Sequence, residues 1–362
     1  MTRNYIKLEN GKIYLHKDFV NEINSVERLV FDCDGVLINT KNSYRKAIRG
    51  TLSLFFRPFF QRDVIRYRDI EKLKFTGIYN NDWDTTYALA LFLFTTLPKE
   101  IAKDLIQWLT GQVLESKFKR CKSSFDIEFE NFLNNIKSDP INDPEEYATK
   151  VCQDKGTFNE LQKFVNIIGR PNNVRESLLA KVFDSLYYGE ELFEKIYNIN
   201  PPIKIKRGYI EKESLYISKR TLVLLKEIFN SKMHLLTGRS KISVQYKIND
   251  IEEYFDMKRS YFIEDILRDG IGDINLFKKP SPTPLLNLAD NQPTLYVGDS
   301  AEDLIMAKKA KESSNKIYFA GIAKLDDEAI RKYFMESNAD LIISSVNKLP
   351  KVFKNKMSEH SL

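Results

Sequence analysis

The sequence is poor in the residues that build thiolate and imidazole metal sites: its 362 residues include only three cysteines and three histidines. Cys33, Cys121 and Cys152 lie far apart and form no C-x-x-C pair, and the histidines have no partners at ligand spacing. This pattern argues against a thiolate zinc site and against a disulfide framework. We therefore expect a protein of the reducing cytosol.

A long hydrophobic run is also missing. The longest apolar stretch, Tyr87–Leu97, has about half of the roughly 20 residues that a membrane-spanning helix needs. The opening residues, MTRNYIKLENGK, are polar and lack the apolar centre of a signal peptide. We expect a soluble, cytoplasmic protein without a membrane partner, in which Tyr87–Leu97 forms a buried helix.

Neither sign of charge dominates. Lysine and arginine number 56 against 50 aspartates and glutamates, which gives a net charge of +6, and no basic block stands out. Such a mild excess suits anionic substrates and argues against nucleic acid as the main partner. The hydrophobic fraction of 43% and the charged fraction of 29% are those of an ordinary globular chain. The length is compatible with about two domains.

Short apolar runs begin at Arg28, Lys232 and Thr294 and end abruptly in acidic or small residues. They read RLVFDCDG, KMHLLTGRS and TLYVGDSAED, and NKIYFAGIA and ADLIISSV follow. Such runs are typical of buried parallel strands, and helical patterns alternate with them. We therefore predict an α/β fold with an open parallel sheet, with a small N-terminal hairpin around Asn10 and Gly11. Ligands of such sheets bind outside the carboxyl ends of the strands.

The segment from about residue 41 to 214 differs in pattern. It is rich in Phe, Tyr, Leu and Lys at helical spacing, as in KEIAKDLIQWLTGQVLESKF, and polar breaks such as SDPINDPEE interrupt it. This pattern predicts a helical domain inserted after the first core strand, with a return linker near its end. The predicted division is a catalytic core of residues 1–40 and 215–362 and a helical cap of residues 41–214.

Two aspartates, Asp32 and Asp34, stand one residue apart where the first core strand ends. Residues i and i+2 of a strand point to the same side, so both carboxylates can face one pocket. Like charges this close are costly unless a cation or a reaction uses them. Asp32 is a candidate nucleophile and Asp34 a candidate general acid and base. A divalent cation, also held by Asp299 and Asp303, would let the carboxylates coexist.

Two further segments supply groups that suit a phosphate. Thr237, Gly238 and Arg239 follow the second strand and offer a hydroxyl and backbone N–H groups at the start of a helix. The stretch FKKPSPTPLL contains Lys278 and Lys279, and we favour Lys279 because it directly precedes the proline. An ammonium group there can offset charge on a transferring phosphoryl group. Together the segments predict phosphoryl transfer through an aspartyl intermediate.

In order, DxDGVL, TGR, KPSPTPLL and GDSAED resemble the four motifs of the haloacid dehalogenase superfamily. The phosphoglycolate-phosphatase-like branch, which has a helical cap after the first motif, is the most similar. The resemblance implies a Rossmann-like core and a Mg²⁺ cofactor. It also implies the following roles: Asp32 as nucleophile and metal ligand; Asp34 as acid/base, with its carbonyl on the metal; Thr237 as phosphate binder; Lys279 as the motif lysine; Asp299 as metal ligand, helped by Asp303.

The cap carries a second resemblance. The stretch TGIYNNDWDTTYAL is similar to one in a haloacid dehalogenase subfamily with some members fused to histidinol-phosphate aminotransferase. By this resemblance Asn81, Asp82 and Trp83 are candidate substrate-binding residues. An aromatic residue flanked by acids is equally typical of a packing cluster. The predicted cap is larger than is usual for the branch.

The leading hypothesis is therefore a Mg²⁺-dependent phosphatase that acts on a small phosphorylated metabolite, with phosphoglycolate as the first substrate to test. A phosphomutase uses the same core, and no sequence feature separates the two reactions. A third reading makes the large cap a module that binds a protein partner or nucleic acid on a weakly active core. A homodimer is compatible with all three readings.

Overall fold

The chain forms two compact units in a computed structural model that describes residues 4–60, 65–74, 76, 81–112, 118–121, 125–138, 143–230, 232–265 and 276–354. The first, here called the core unit, comprises Met1–Thr40 and Glu213–Leu362. The second, the cap unit, comprises Lys41–Lys212. The insertion that separates the two parts of the core unit therefore begins at Lys41, shortly after the strand Arg28–Phe31 and the turn that follows it.

Nine strands are present among the described residues, and all of them belong to the core unit. They are β1 (Tyr5–Leu8), β2 (Ile13–His16), β3 (Arg28–Phe31), β4 (Ile38–Asn39), β5 (Ser214–Leu215), β6 (Met233–Leu235), β7 (Thr294–Gly298), β8 (Ile317–Ile322) and β9 (Leu341–Ile343).

The helices divide between the two units. Those of the cap unit are α1 (Tyr44–Phe56), α2 (Tyr67–Lys74), α3 (Asp82–Thr95), α4 (Lys99–Leu109), α5 (Phe125–Ser138), α6 (Pro144–Asp154), α7 (Phe158–Ile168), α8 (Leu178–Tyr188) and α9 (Glu190–Tyr197). Those of the core unit are α10 (Lys219–Phe229), α11 (Lys241–Lys247), α12 (Thr283–Ala289), α13 (Ala301–Ser313), α14 (Glu328–Glu336) and α15 (Leu349–Val352).

Seven strands form the central sheet, in the order β1-β2-β9-β8-β7-β3-β6. Neighbouring strands from β9 to β6 are parallel, whereas β1 pairs with β2 and β2 with β9 in antiparallel fashion. The predicted α/β fold is thus confirmed, as is the N-terminal hairpin around Asn10 and Gly11. Strands β4 and β5, which the sequence pattern did not reveal, form a separate two-stranded sheet.

The register of the sheet brings the predicted catalytic segments to one edge. Phe31 pairs with Val297 on one side and with Leu235 on the other. The residues that follow these three positions therefore leave the sheet side by side. The N–H of Asp32 continues the ladder and donates to the carbonyl of Val297 at 2.9 Å.

Both faces of the parallel strands β3 and β6 to β9 are buried, as in other parallel sheets. Alternate residues of β3 enter two different apolar clusters: Leu29 and Phe31 lie in one, and Val30 lies in the other. This explains the unbroken apolar runs in the sequence, since neither face of these strands is left to water. Burial on both faces also fixes the strand register, because a one-residue slip would exchange the two clusters.

The cap unit is organised around α3, the helix predicted from Tyr87–Leu97. Every residue of α3 from Thr85 to Thr95 is buried, so that the helix is covered on all sides by its neighbours. Aromatic rings fill the surrounding core: Phe92 lies 5.1 Å from Phe132 and Phe94 lies 4.9 Å from Phe164 between ring centroids. Among the described residues, no helix has both the length and the apolar character needed to cross a membrane.

Candidate active site

Lys279 joins two carboxylates at the carboxyl edge of the sheet. Its ammonium group lies 3.0 Å from Oδ1 of Asp32 and 2.8 Å from Oδ1 of Asp303. The lysine side chain is 14% exposed and the Asp32 side chain 13%, whereas that of Asp303 is 1% exposed. Burial alone would favour a neutral amine, but the charges of Asp303 and Asp32 outweigh it and raise the pKa of Lys279 well above its ordinary value. Neighbouring Lys278 is exposed.

Asp303 is held by several donors at the start of α13. Its Oδ1 accepts hydrogen bonds from Lys279 Nζ and, at 2.6 Å, from the hydroxyl of Tyr296. Its Oδ2 accepts from the Ser300 hydroxyl at 2.7 Å and from the N–H groups of Asp299 and Ser300, both at 3.2 Å. Although burial acts in the opposite direction, Lys279 and these donors lower the pKa of Asp303. This geometry favours a role in holding Lys279 over the predicted direct contact with a metal ion.

Three carboxylates crowd together at this edge. Oxygen atoms of Asp32, Asp299 and Asp303 all lie within 4.8 Å of one another. Burial raises the pKa of Asp32 to about 7, against the attraction of Lys279. Burial and the neighbouring carboxylates, Asp303 foremost, raise the pKa of Asp299 well above its ordinary value. The repulsion between carboxylates this close together can be relieved by protonation or by a bound cation.

The turn after β3 is shaped by Gly35. Its φ of +79° lies in the left-handed region, and a Cβ atom on this residue would come within 1.7 Å of Oδ2 of Asp299. Only glycine therefore lets the turn approach the end of β7 this closely. The turn carries Asp34, whose side chain is 32% exposed and accepts a hydrogen bond from Nε of Arg239 at 2.7 Å.

The segment after β6 differs in part from its prediction. Thr237 is buried and its hydroxyl accepts from the N–H of Arg239 at 3.2 Å, whereas Gly238 is exposed with open space beside it. Arg239 was expected to face a phosphate. Instead its guanidinium is buried and bonded to the carboxylates of Asp34 and Glu213, so that this charge is already compensated. A phosphate cradle at Thr237 and the exposed backbone of Gly238 stays a prediction.

The three cap candidates all have partners within the cap unit. Asn81 is the N-cap of α3, where its side chain accepts from the N–H of Trp83 at 2.8 Å. Asp82 pairs with Lys74 at 2.6 Å. The indole N–H of Trp83 donates to Oδ1 of Asp184 at 3.1 Å. These contacts favour the packing alternative for the loop, and a substrate contact stays a prediction.

Asp184 is the buried hydrogen-bond partner of Trp83 in the cap unit. It is 3% exposed, and its Oδ2 accepts a second hydrogen bond from the Tyr197 hydroxyl at 2.5 Å. Burial raises the pKa of Asp184 to about 7, while the bonds from Tyr197 and Trp83 act in the opposite direction. We expect Trp83→Phe to lower the free energy of unfolding by about 2 kcal/mol, because a buried acceptor then loses a donor.

Chemical denaturation, together with KM for any substrate found, tests this prediction. Tyr197→Phe is the matched variant, since it removes the other donor to the same carboxylate. Similar losses of stability with an unchanged KM are expected for both variants. A raised KM for Trp83→Phe with undiminished stability would instead support the substrate contact.

Two residues of the site were missed by the sequence reading. Tyr296 is the one aromatic residue of the buried strand TLYVG, and the need of a buried phenol for a hydrogen-bond partner was a usable signal. Glu213 stands among other charged residues in KRGYIEKESLYIS, where no local pattern distinguishes it.

Comparisons with known proteins identify the family and the fold of the chain. The family model of haloacid dehalogenase-like hydrolases matches residues 26–311 of the chain. A structure solved by the Northeast Structural Genomics Consortium is similar with a TM-score of 0.64 at 18% identity, over 92% of this chain and 100% of the other. Phosphatase Tt82 from Thermococcus thioreducens is similar with a TM-score of 0.53 at 19% identity, over 85% of this chain and 98% of the other. At these identities the likeness establishes the fold alone. No curated protein is significantly similar in sequence.

Proposed function

The chain belongs to the haloacid dehalogenase-like hydrolases, and on that premise we propose that it is a Mg²⁺-dependent phosphatase for the phosphate monoester of a small metabolite. The observation that carries the proposal is the ammonium group of Lys279 between Asp32 and Asp303, with Asp299 beside them. The similarity in fold to a protein described as a phosphatase supports it.

Asp32 is the proposed nucleophile. Its carboxylate oxygen attacks the phosphorus atom, the bond from phosphorus to the leaving oxygen breaks, and an aspartyl phosphate forms. Lys279, 3.0 Å from Oδ1, keeps the carboxylate oriented and favours its ionised form. Thr237 and the backbone at Gly238 are the proposed contacts of the phosphoryl group.

Asp34 is the proposed proton donor and acceptor. In the first step its carboxylic acid gives a proton to the leaving oxygen. In the second step its carboxylate takes a proton from the water that attacks phosphorus, and the bond to Asp32 breaks. Inorganic phosphate leaves and both aspartates return to their starting states.

The crowded carboxylates fit a hard divalent cation. Oxygen ligands are what Mg²⁺ prefers, and the pKa of Asp299 is raised first by burial and then by the neighbouring carboxylates, whose negative charge a cation would offset. Asp32, Asp299 and the backbone carbonyl of Asp34 would hold the ion, since the oxygens of Asp303 already accept hydrogen bonds from protein donors. When bound, Mg²⁺ would neutralise charge on the phosphoryl oxygens.

A panel of phosphate monoesters tests the proposal. Purified protein is expected to release inorganic phosphate from at least one of 4-nitrophenyl phosphate, phosphoglycolate, histidinol phosphate and hexose phosphates. Release should stop with EDTA and return with Mg²⁺, and the Asp32→Asn variant, purified in parallel, controls for contaminating phosphatases. Folded protein that releases no phosphate from any ester would contradict the proposal. A hexose phosphate isomerised without phosphate release would show a mutase instead.

A further inference from the structure

Arg239 bridges two carboxylates of the core unit. Its Nε donates to Oδ1 of Asp34 at 2.7 Å, and its Nη2 donates to both oxygens of Glu213, at 2.8 and 2.9 Å. Asp34 and Glu213 lie on opposite sides of the cap insertion in the sequence, at residues 34 and 213. The guanidinium group thus ties the turn after β3 to the first residue of the core that follows the cap.

Burial makes this bridge rigid. The side chains of Arg239 and Glu213 are 1% and 0% exposed, so water does not solvate either charge and each charge is stabilised by the other. Asp34 is the exposed member, with 32% of its side chain accessible. Because a buried charge is stable only when it is paired, Glu213 holds the guanidinium in place and the guanidinium holds Asp34.

The elements around Glu213 fix its position further. Its carbonyl accepts a hydrogen bond from Nζ of Lys247 on α11 at 3.2 Å. The next two residues form β5, where Leu215 pairs with Ile38 and Ser214 with Asn39 on β4. Glu213 is therefore held by backbone pairing to β4, the strand that follows the turn with Asp34.

We infer that Arg239 is the positioning residue for Asp34 in proton transfer to the leaving group, with Glu213 as its buried counter-ion, an assignment that depends on the proposed function. The guanidinium holds one carboxylate oxygen of Asp34, and the other oxygen carries the proton. That proton passes to the leaving oxygen as its bond to phosphorus breaks, and it returns from water in the second step. Arg239 itself touches neither the phosphoryl group nor the substrate.

Leaving groups of graded acidity distinguish this role from a direct phosphate contact. A misplaced proton donor matters most for a poor leaving group, because a good one departs without protonation. A lost phosphate contact would instead weaken the reaction of every ester alike. The experiment therefore measures kcat/KM, which reports the step that expels the leaving group, for phenyl phosphate and its substituted analogues. It also measures inhibition by inorganic phosphate.

For Arg239→Gln we expect kcat/KM to fall about 100-fold with phenyl phosphate and less than about 10-fold with 4-nitrophenyl phosphate. The inhibition constant of inorganic phosphate should stay within about twofold of its original value, since no phosphate contact is removed. Arg239→Lys keeps the charge and should recover part of the loss with phenyl phosphate.

Two further variants guard against a purely structural effect. Arg239→Gln removes the guanidinium from which both oxygens of the buried Glu213 carboxylate accept, so the double variant Arg239→Gln/Glu213→Gln, which also removes that buried charge, is measured as well. It should fold and show the same dependence on the leaving group. Arg28→Gln, which removes another largely buried arginine of the core unit, should leave that dependence unchanged.

The outcomes separate this inference from the proposed function. Wild-type protein that hydrolyses none of the esters would overturn the proposed function and this inference with it. Active wild-type protein, with equal losses for all esters in the Arg239 variants or a raised inhibition constant for phosphate, would overturn the inference alone. A double variant that folds and keeps wild-type kcat/KM for phenyl phosphate would overturn it as well.

Discussion

Replacing Asp32 by asparagine is expected to reduce phosphate release by at least about 1000-fold, because the amide is a poor nucleophile toward phosphorus. The fold should persist, since asparagine has nearly the same volume and the amide oxygen can still accept from Lys279. Phosphate release from the best ester of the panel, measured with circular dichroism on the same samples, checks both expectations.

Asp326→Asn is the control for this variant. Asp326 is an exposed residue of the core unit and lies outside the four motifs. Its substitution should leave phosphate release unchanged. Folded Asp32→Asn protein with more than about a tenth of wild-type turnover would contradict the role of Asp32, since loss of a nucleophile costs far more than that.

The second large effect is expected from Lys279→Met. The substitution leaves Asp32 and Asp303 without the ammonium group that lies between them, so both carboxylates lose the charge that compensates them. Turnover should fall by at least about 100-fold, because Asp32 is no longer oriented or favoured in its ionised form. Removing one partner of a buried ionic cluster should also lower the free energy of unfolding by about 3 kcal/mol.

Lys278→Met is a matched control, since it makes the same chemical change one residue away. The side chain of Lys278 is exposed, whereas that of Lys279 is 14% exposed between its two carboxylates. We expect turnover and the denaturation midpoint of Lys278→Met to equal those of the wild-type protein. Equal losses in the two lysine variants, or a greater loss at Lys278, would show that the ammonium group at Asp32 is not the one the reaction needs.

The identity of the core elements follows from local pattern. Short apolar runs that end in DCDG, TGR and GDS are typical of buried parallel strands, and the structure has β3, β6 and β7 at those positions. Adjacent strands in a parallel sheet end at one edge, so the proximity of Asp32 and Asp299 was predictable without coordinates. The choice of Lys279 over Lys278 rested on its neighbouring proline, and the structure brings Lys279 to Asp32.

The partners of individual side chains were not predictable in the same way. Arg239 lies 205 positions from Asp34 in the sequence, and nothing local to the TGR motif indicates that its guanidinium faces carboxylates. The same holds for Trp83, whose partner Asp184 is 101 positions away. The side chains of Arg239 and Trp83 can each bind a ligand or a partner inside the protein. Only the packing of segments distant in sequence determines which of the two they contact.

The sequence by itself determined the family, the strands of the central sheet and the acidic edge where the proposed chemistry lies, because these depend on short patterns of burial and on the order of four motifs. The tertiary structure decided which polar groups are already paired: Asp303 with Lys279, Arg239 with Asp34 and Glu213, and Trp83 with Asp184. The physical reason is that a buried polar group must find a partner wherever the fold provides one, and that partner need not be near in sequence.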